Sequence, residues 1–493
     1  RGLGQQVEGT TVFPCHMAFS AAINRDNKDD IRLLRQAINA ISSEAVYTGI
    51  NTLLIPVLDI NINPDNPIIC TRSFGDNPYV VSWFGKEFIK GIQNKGLIAC
   101  GKHFPGHGGT EIDSHKALPV IRKSINKLER CELIPFKEAI DSGVEMIMVG
   151  HLSIPAIDDL LPASLSKRVV TKILRKRLCF NGLILSDALT MDAVSKRFTP
   201  LEGPAIYGWD DIDPVRKSVS NGVDKISIPY KKDGVKAPSF LTGFTEKETA
   251  VLAVDAGIDI LLHPEDVDTT AEGILEAIED RRIPSSRIDA SVKRILKVKN
   301  RLRFEKSSVD FRSNRRISES ITQRSITLVK ENGSILPIHK ILNIPLIIVD
   351  DDMMKDTGST LKRYFKRSAL IEENAQRALE SEYERKINSL HFEAKLQLKE
   401  KSYKIAVIVL FSKIAAGKGS SGMNEVLITK TKEIIKNCLV SIVVSFGSPY
   451  LLRHFTDADV LVAAYEPTEE VQESVINCIR GKVPFKGRLP VAL

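Results

Sequence analysis

Residues 101–119 read GKHFPGHGGTEIDSHKALP and follow the apolar run GLIAC (96–100) without a break. A Gly/Pro-rich loop directly after a strand is where an α/β fold places catalytic groups. The same rhythm continues on both sides of it. Apolar runs at 52–60, 96–100, 145–149, 183–185 and 258–262 alternate with amphipathic stretches at 29–43, 80–93, 128–142 and 167–178. Strand, helix, strand with short connections predicts βαβ units and a parallel sheet. No GxGxxG turn follows any of these runs, so an α/β barrel fits better than an open dinucleotide-binding sheet. Five strands are visible where a full barrel has eight.

Further along, 287–303 reads as one basic amphipathic helix and 305–316 as a polar, charged linker. A second α/β unit then begins, with apolar runs at 325–329, 345–349, 405–411, 440–445 and 460–464. The charged residues of 360–404 lie at helical spacing and read as a solvated face. The expected layout is a catalytic barrel over 1–304, a linker over 305–318 and an α/β sandwich over 319–493. Residues 200–245 fit neither pattern. They are about twice as rich in glycine and proline as the whole chain, and removing them joins SKRFT smoothly to EKETAVLAVDAG. They read as an insertion in a surface loop, which a fold tolerates at small entropic cost.

Composition narrows the function classes. The chain has 493 residues, 43% hydrophobic and 26% charged, with a net charge of +8. That is ordinary globular composition and excludes a disordered tail, a collagen-like chain and a small disulfide scaffold. The positive excess is spread thinly, with no basic block or aromatic-interleaved stripe, so no nucleic-acid partner is expected. The seven cysteines are scattered and never form a CxxC pair. They predict buried, reduced thiols, no metal site and a cytoplasmic setting. No apolar run reaches the ~18 residues of a membrane span, so no membrane partner is expected. No signal peptide is visible, although the chain opens at Arg1 without a Met. No cofactor is implied, and the sequence leaves the oligomeric state undetermined.

Two stretches carry the chemistry. The 101–119 loop holds His103, His107 and His115, with Lys102 and Asp113 beside them. Asp113 and His115 are two apart, so on an irregular loop they can turn toward one another. A carboxylate accepting from one ring nitrogen fixes the tautomer and raises the basicity of the other. The three histidines match no standard metal-ligand spacing. The second stretch, NGLILSDALTMDAV (181–194), delivers Asp187 at the C-terminal end of an apolar strand, where an aspartate serves as nucleophile or metal ligand, or caps the following helix. GKGSSG (417–422) lacks the spacing of a phosphate loop and reads as a flexible loop.

KHFPGHG, DSH and LP, then PASLS (162–166) and GLILSDALTMDAV (182–194), together resemble the catalytic domain of glycoside hydrolase family 3. Within the family the pattern is similar to the β-N-acetylglucosaminidase branch. DINxNPDNPII-TRSFG (59–75), RIDASVKRIL (287–296) and SITLVKENGSILPI (325–338) support it, as do VVSFGSPYLL (443–452) and GRLPVAL (487–493) of the second domain. The resemblance implies a TIM-like barrel whose first two strands are absent here, followed by an α/β sandwich. It implies a retaining exo-glycosidase, a hydrolase acting on terminal N-acetylglucosamine of β-glycosides, with muropeptide fragments of peptidoglycan recycling as substrate. Asp187 would form the glycosyl-enzyme, and His115, held by Asp113, would act as acid and then base. Arg72, Lys102 and His103 match sugar-contacting positions, while His107 reads as structural. A β-N-acetylglucosaminide phosphorylase and an inactive, decayed sugar-binding homologue are the alternative readings.

Overall fold

The computed structural model of the protein describes residues 2–195, 244–302, 308–350, 358–366, 368–372, 403–412, 414 and 421–493. The expected insertion (all but its last two residues), most of the charged stretch 360–404 and most of the GKGSSG loop lie outside the described residues. The chain divides into two compact units. One comprises Arg1–Asp113, Asn126–Met146 and Arg301–Leu493, the other Ser114–Ile125 and Ile147–Asn300.

Five short strands serve the N-terminal part: β1 (Thr52–Leu53), β2 (Ile98–Phe104), β3 (Met146–Val149), β4 (Leu183–Ala188) and β5 (Ile260–Leu262). Each falls within or across one of the predicted apolar runs. In the first unit β1 and β2 run parallel, with Thr52 opposite Ile98. In the second, β3, β4 and β5 neighbour one another in chain order, and β4 and β5 are parallel. Parallel strands joined in sequence by helices are the arrangement of a TIM-like (β/α) barrel. The predicted run 52–60 is strand only at its start. Pro56 has no N–H to give, although Leu58 still donates to the Lys102 carbonyl at 2.6 Å and so keeps the chain alongside β2.

Local chemistry sets the helices. Lys28–Tyr47 starts where the Asn27 side chain accepts from the N–H groups of Asp29 and Asp30. It buries Leu34, Ile38, Ile41 and Ala45, the three-to-four spacing of an apolar stripe. Pro78–Gln93 starts the same way on Asn77, with Pro78 in its first turn. The helix expected over 128–142 is two helices, Ile125–Glu129 and Ile134–Asp141. Pro135 sits in the first turn of the second, where its missing N–H costs nothing. The stretch read as 167–178 is a wide helix, Arg168–Arg177, closed by a bond from the Leu178 N–H to the Ile173 carbonyl. Thr245, at the end of the expected insertion, caps Glu246–Ala256 through a reciprocal pair with Glu248. The residues read as a linker are helical from Phe311, because Asp310 accepts from the Ser313 N–H and opens Phe311–Ser325.

The C-terminal sheet lies within the first unit. It comprises β6 (Thr327–Glu331), β7 (Leu346–Asp350), β8 (Ser368–Glu372), β9 (Ala406–Phe411), β10 (Ser441–Phe446) and β11 (Val460–Ala463), in the order β6-β11-β10-β9-β7-β8. Only β6 is antiparallel to its neighbour. Ala406, Ile408 and Leu410 of β9 enter one apolar layer, and Val407, Val409 and Phe411 the other. A strand covered on both faces is apolar throughout rather than alternating, as the sequence of β9 shows. The layer holding Ile408 also takes in Met17, Ala18 and Ala21 of the helix His16–Ala22, and the other packs on Glu469–Ile479. This is the expected α/β sandwich. Sequence reading missed β8, whose short SALIE run lies inside a stretch dominated by charged residues. Among the described residues no helix is long and apolar enough to cross a membrane. Cys15, Cys70, Cys100 and Cys478 are buried as expected, but Cys131 and Cys438 are half-buried and Cys179 is exposed.

Candidate active site

The predicted site residues fall in both units, and each part has its own geometry. In the first unit, β2 runs four residues past the expected strand end and carries Lys102 and His103 with it, so they sit on the sheet rather than in the loop. His103 is buried, and its ring Nδ1 lies 2.6 Å from Oδ2 of Asp59. A carboxylate accepts, so Nδ1 donates, and in the neutral ring the lone pair sits on Nε2. Asp59 is wholly buried. It also accepts from the backbone N–H groups of His103 (3.2 Å) and His107 (2.7 Å). Burial by itself pushes its carboxyl pKa up. The charge and hydrogen bond of the His103 ring, with the His107 N–H, outweigh that and hold it below the usual carboxylate range.

The turn after β2 closes on itself. The Thr110 hydroxyl donates to the His107 carbonyl at 2.9 Å, so the His107 ring Nδ1 donates to Thr110 Oγ1 at 2.7 Å. Asn66 donates to the same carbonyl at 2.9 Å and accepts from the N–H groups of Ile68 and Ile69, three residues before Arg72. Gly108 passes so close to the preceding loop that a Cβ there would stand 1.8 Å from the Ile60 carbonyl oxygen. His107 is thus a fastening of the loop, as expected. Arg72 ends the short turn Cys70–Arg72, is half-buried, and donates through Nη1 to the Ile68 carbonyl at 3.1 Å. Tyr450, from the VVSFGSPYLL stretch, accepts from Asn61 Nδ2 at 3.0 Å and lies 3.1 Å from the Asn61 carbonyl. The short helical segment Pro449–Phe455 after β10 therefore braces the chain two residues beyond Asp59. Asp113, which closes this part of the unit, is buried.

In the second unit, His115 lies half-buried in a turn. Asp187 is on β4, also half-buried, and its Oδ1 accepts from the N–H of Ala188 at 2.9 Å. Leu185 faces Ile260 and Ala188 faces Leu262, so β4 holds one residue more than β5 between these pairs. That bulge contains Ser186 and Asp187. Within it the Leu262 N–H is taken by Ser186 Oγ at 2.9 Å in place of a ladder carbonyl. A bulge at a strand end re-aims the side chain it carries, here the predicted nucleophile. At the opposite end of these strands, the Asp259 side chain is fully buried and paired with Arg175, Arg287 and Arg294. Burial and the neighbouring guanidinium groups lower the Arg175 pKa to about 10 despite the attraction of Asp259. This network ties Ile184, at the start of β4, to Asp259 at 2.9 Å.

Sequence reasoning missed Asp59. It lies inside the apolar run 52–60, as the one charged residue of that run.

The family described as "Glycosyl hydrolase family 3 N terminal domain" matches residues 1–238 and 233–298. Among curated proteins, the chain is 29% identical to Beta-hexosaminidase A of Pseudoalteromonas piscicida over 70% of its own length and 54% of that relative's. It is 26% identical to a Beta-N-acetylglucosaminidase/beta-glucosidase of Cellulomonas fimi, over 99% of this chain and 82% of the other. Among solved structures, a glycoside hydrolase family 3 beta-N-acetylglucosaminidase from Paenibacillus sp. str. FPU-7 is similar with a TM-score of 0.72. It is 28% identical, over 99% of this chain and 83% of that one. The chain thus spans about half the length of the first of these relatives and about four fifths of the other two.

Proposed function

The chain belongs to glycoside hydrolase family 3, and from that premise we propose that it is a retaining exo-β-N-acetylglucosaminidase. The observation that carries the reading is Asp187, placed by a bulge at the C-terminal end of a parallel βα strand. The names of the relatives, a hexosaminidase and two N-acetylglucosaminidases, support the substrate class.

In the first step the Asp187 carboxylate attacks the anomeric carbon, and the glycosidic C–O bond breaks as His115 gives its proton to the departing oxygen. In the second step His115 takes a proton from water, whose oxygen displaces Asp187 and restores the carboxylate. Asp113, buried and two residues from His115, is the orienting partner of that ring. Arg72, Lys102 and His103 contact sugar hydroxyls. In this role the hydrogen bond from His103 to Asp59 fixes the ring that meets the sugar. Muropeptide fragments in the cytoplasm are the proposed substrate and setting, supported by the resemblance. The catalytic part is residues 1–304, with 319–493 as the sandwich domain.

The test is hydrolysis of an aryl β-N-acetylglucosaminide by the full chain in phosphate and in phosphate-free buffer. Free N-acetylglucosamine in both is the expected product. A sugar 1-phosphate formed only with phosphate moves the assignment to phosphorolysis, and no turnover in either overturns the enzyme reading.

A further inference from the structure

His151 has no part in the scheme above, yet it stands beside its central residue. It follows β3 by two residues and is fully buried. Its Nε2 lies 3.0 Å from the carbonyl oxygen of Ala188, and its Nδ1 lies 2.6 Å from Oγ of Ser164. A carbonyl only accepts, so Nε2 carries the proton. In the neutral ring Nδ1 then accepts from the Ser164 hydroxyl. The same carbonyl takes the N–H of Met191 at 3.1 Å, so both of its lone-pair directions are used. The N–H of Ala188 is the donor that holds the Asp187 carboxylate at 2.9 Å. One residue is therefore gripped at its carbonyl by His151 while it grips Asp187 at its nitrogen.

The position matters because the bulge has removed regular pairing from this end of β4, where Leu262 already donates to a side chain. An extra anchor is what a re-aimed strand end needs. The arrangement also separates the two serines of PASLS. Ser166 fastens its own turn to Asp158 at 2.6 Å, whereas Ser164 orients the His151 ring. A buried imidazole and hydroxyl carry a desolvation cost that an apolar side chain in the same space would not.

We propose that His151 is a positioning residue for Asp187. With its ring fixed by Ser164, it clamps the end of β4 so that the carboxylate stands in line for attack. The inference rests on the reading of Asp187 as nucleophile. A misplacement of about 1 Å at a reacting group costs on the order of 10²-fold in rate, which sets the scale of the expected effect.

Turnover of the aryl β-N-acetylglucosaminide and thermal stability are measured for the full chain and for His151→Ala, His151→Gln, Ser164→Ala and the His151→Ala/Ser164→Ala double variant. His151→Ala lowers kcat by about 10- to 100-fold with KM within about twofold, since the interaction acts on the transition state. His151→Gln, whose amide can donate to Ala188, recovers most of that loss. Ser164→Ala gives a smaller fall, and the double variant is no slower than His151→Ala because both act through one path. A drop in melting temperature with parental kcat overturns the proposal. So does full additivity of the pair. If His151→Ala fails to fold, the Gln and Ser164 variants carry the same reading.

Asp187→Ala in the same assay separates the two failures. Retained activity there sinks the nucleophile assignment, whereas a dead Asp187→Ala beside a fully active His151→Ala sinks only the clamp. Should the chain turn over no aryl glycoside, ¹⁵N-histidine spectra decide. A non-titrating Nε2–H tautomer at His151 that shifts in Ser164→Ala supports the clamp, and an Nδ1–H tautomer overturns it.

Discussion

Asp59, six residues past the parallel strand β1, and Asp187, on the parallel strand β4, have different surroundings. Asp59 is wholly buried and accepts from two backbone N–H groups and the His103 ring, which join it to residues 44 and 48 positions away. Asp187 is half-buried at a bulge, and its hydrogen bond from Ala188 spans a single residue. A carboxylate surrounded by fixed donors has its charge committed to the fold. One at a re-aimed strand end keeps access to what enters from outside. The same residue type thus serves assembly in one case and, on our reading, chemistry in the other.

The contrast breaks most sharply through Asp187. Asp187→Ala is expected to lower turnover of the aryl glycoside by at least about 10³-fold, the scale on which loss of a covalent nucleophile is felt. Its urea midpoint stays near that of the parent, because the side chain is only half-buried. Activity within tenfold of the parent would contradict the assignment.

Asp59→Asn has the opposite signature. Removing one partner of a buried pair costs about 3–5 kcal/mol, and the new amide would point hydrogens at donors that need an acceptor. Its effect also depends on pH. The folded pKa of Asp59 lies below its unfolded value, so the carboxylate's contribution is fully present above about pH 4. It is lost as pH falls through the lower, folded pKa. Urea midpoints measured from pH 7 down to pH 3 should show the parent losing stability toward acid more steeply than Asp59→Asn. Parallel curves would remove Asp59 from the acid response.

Gly108→Ala sharpens the same comparison through the backbone. The new methyl would meet the Ile60 carbonyl oxygen at 1.8 Å, which forces apart the two loops that flank Asp59. A loss of about 3 kcal/mol, the upper end for overpacking, is the expected reading from denaturant unfolding. Tyr450→Phe is the gentlest probe. It takes the hydroxyl from Asn61 and should cost about 1 kcal/mol, with kcat unchanged. A fall in kcat beyond about threefold would mean that the sandwich brace reaches the chemistry.

How much of this is legible in the chain follows from distance along it. The strand that delivers Asp187 is visible because its apolar run, its acidic end and the next helix are contiguous. The parallel strands of the sandwich are visible for the same reason, since burial on both faces makes β9 and β10 continuous apolar runs. β8 is not, because its three apolar residues, Ala369 to Ile371, are set between charged flanks that read together as one solvated face. The bulge at Ser186–Asp187 is invisible as well. It is a mismatch in count between two strands, and neither strand records it alone.

Local pattern alone therefore determined most of the strands, the Gly/Pro-rich loop after β2 and the family to which the chain belongs. Those features depend on neighbours within one or two turns of chain, where steric limits and hydrogen bonding act directly. Tertiary structure decided which carboxylate is buried against histidines, which serine of PASLS touches His151, and that Tyr450 braces Asn61 from 389 residues away. Each of these is a choice of partner across space. It is made by the packing of whole elements, which no short window of sequence contains.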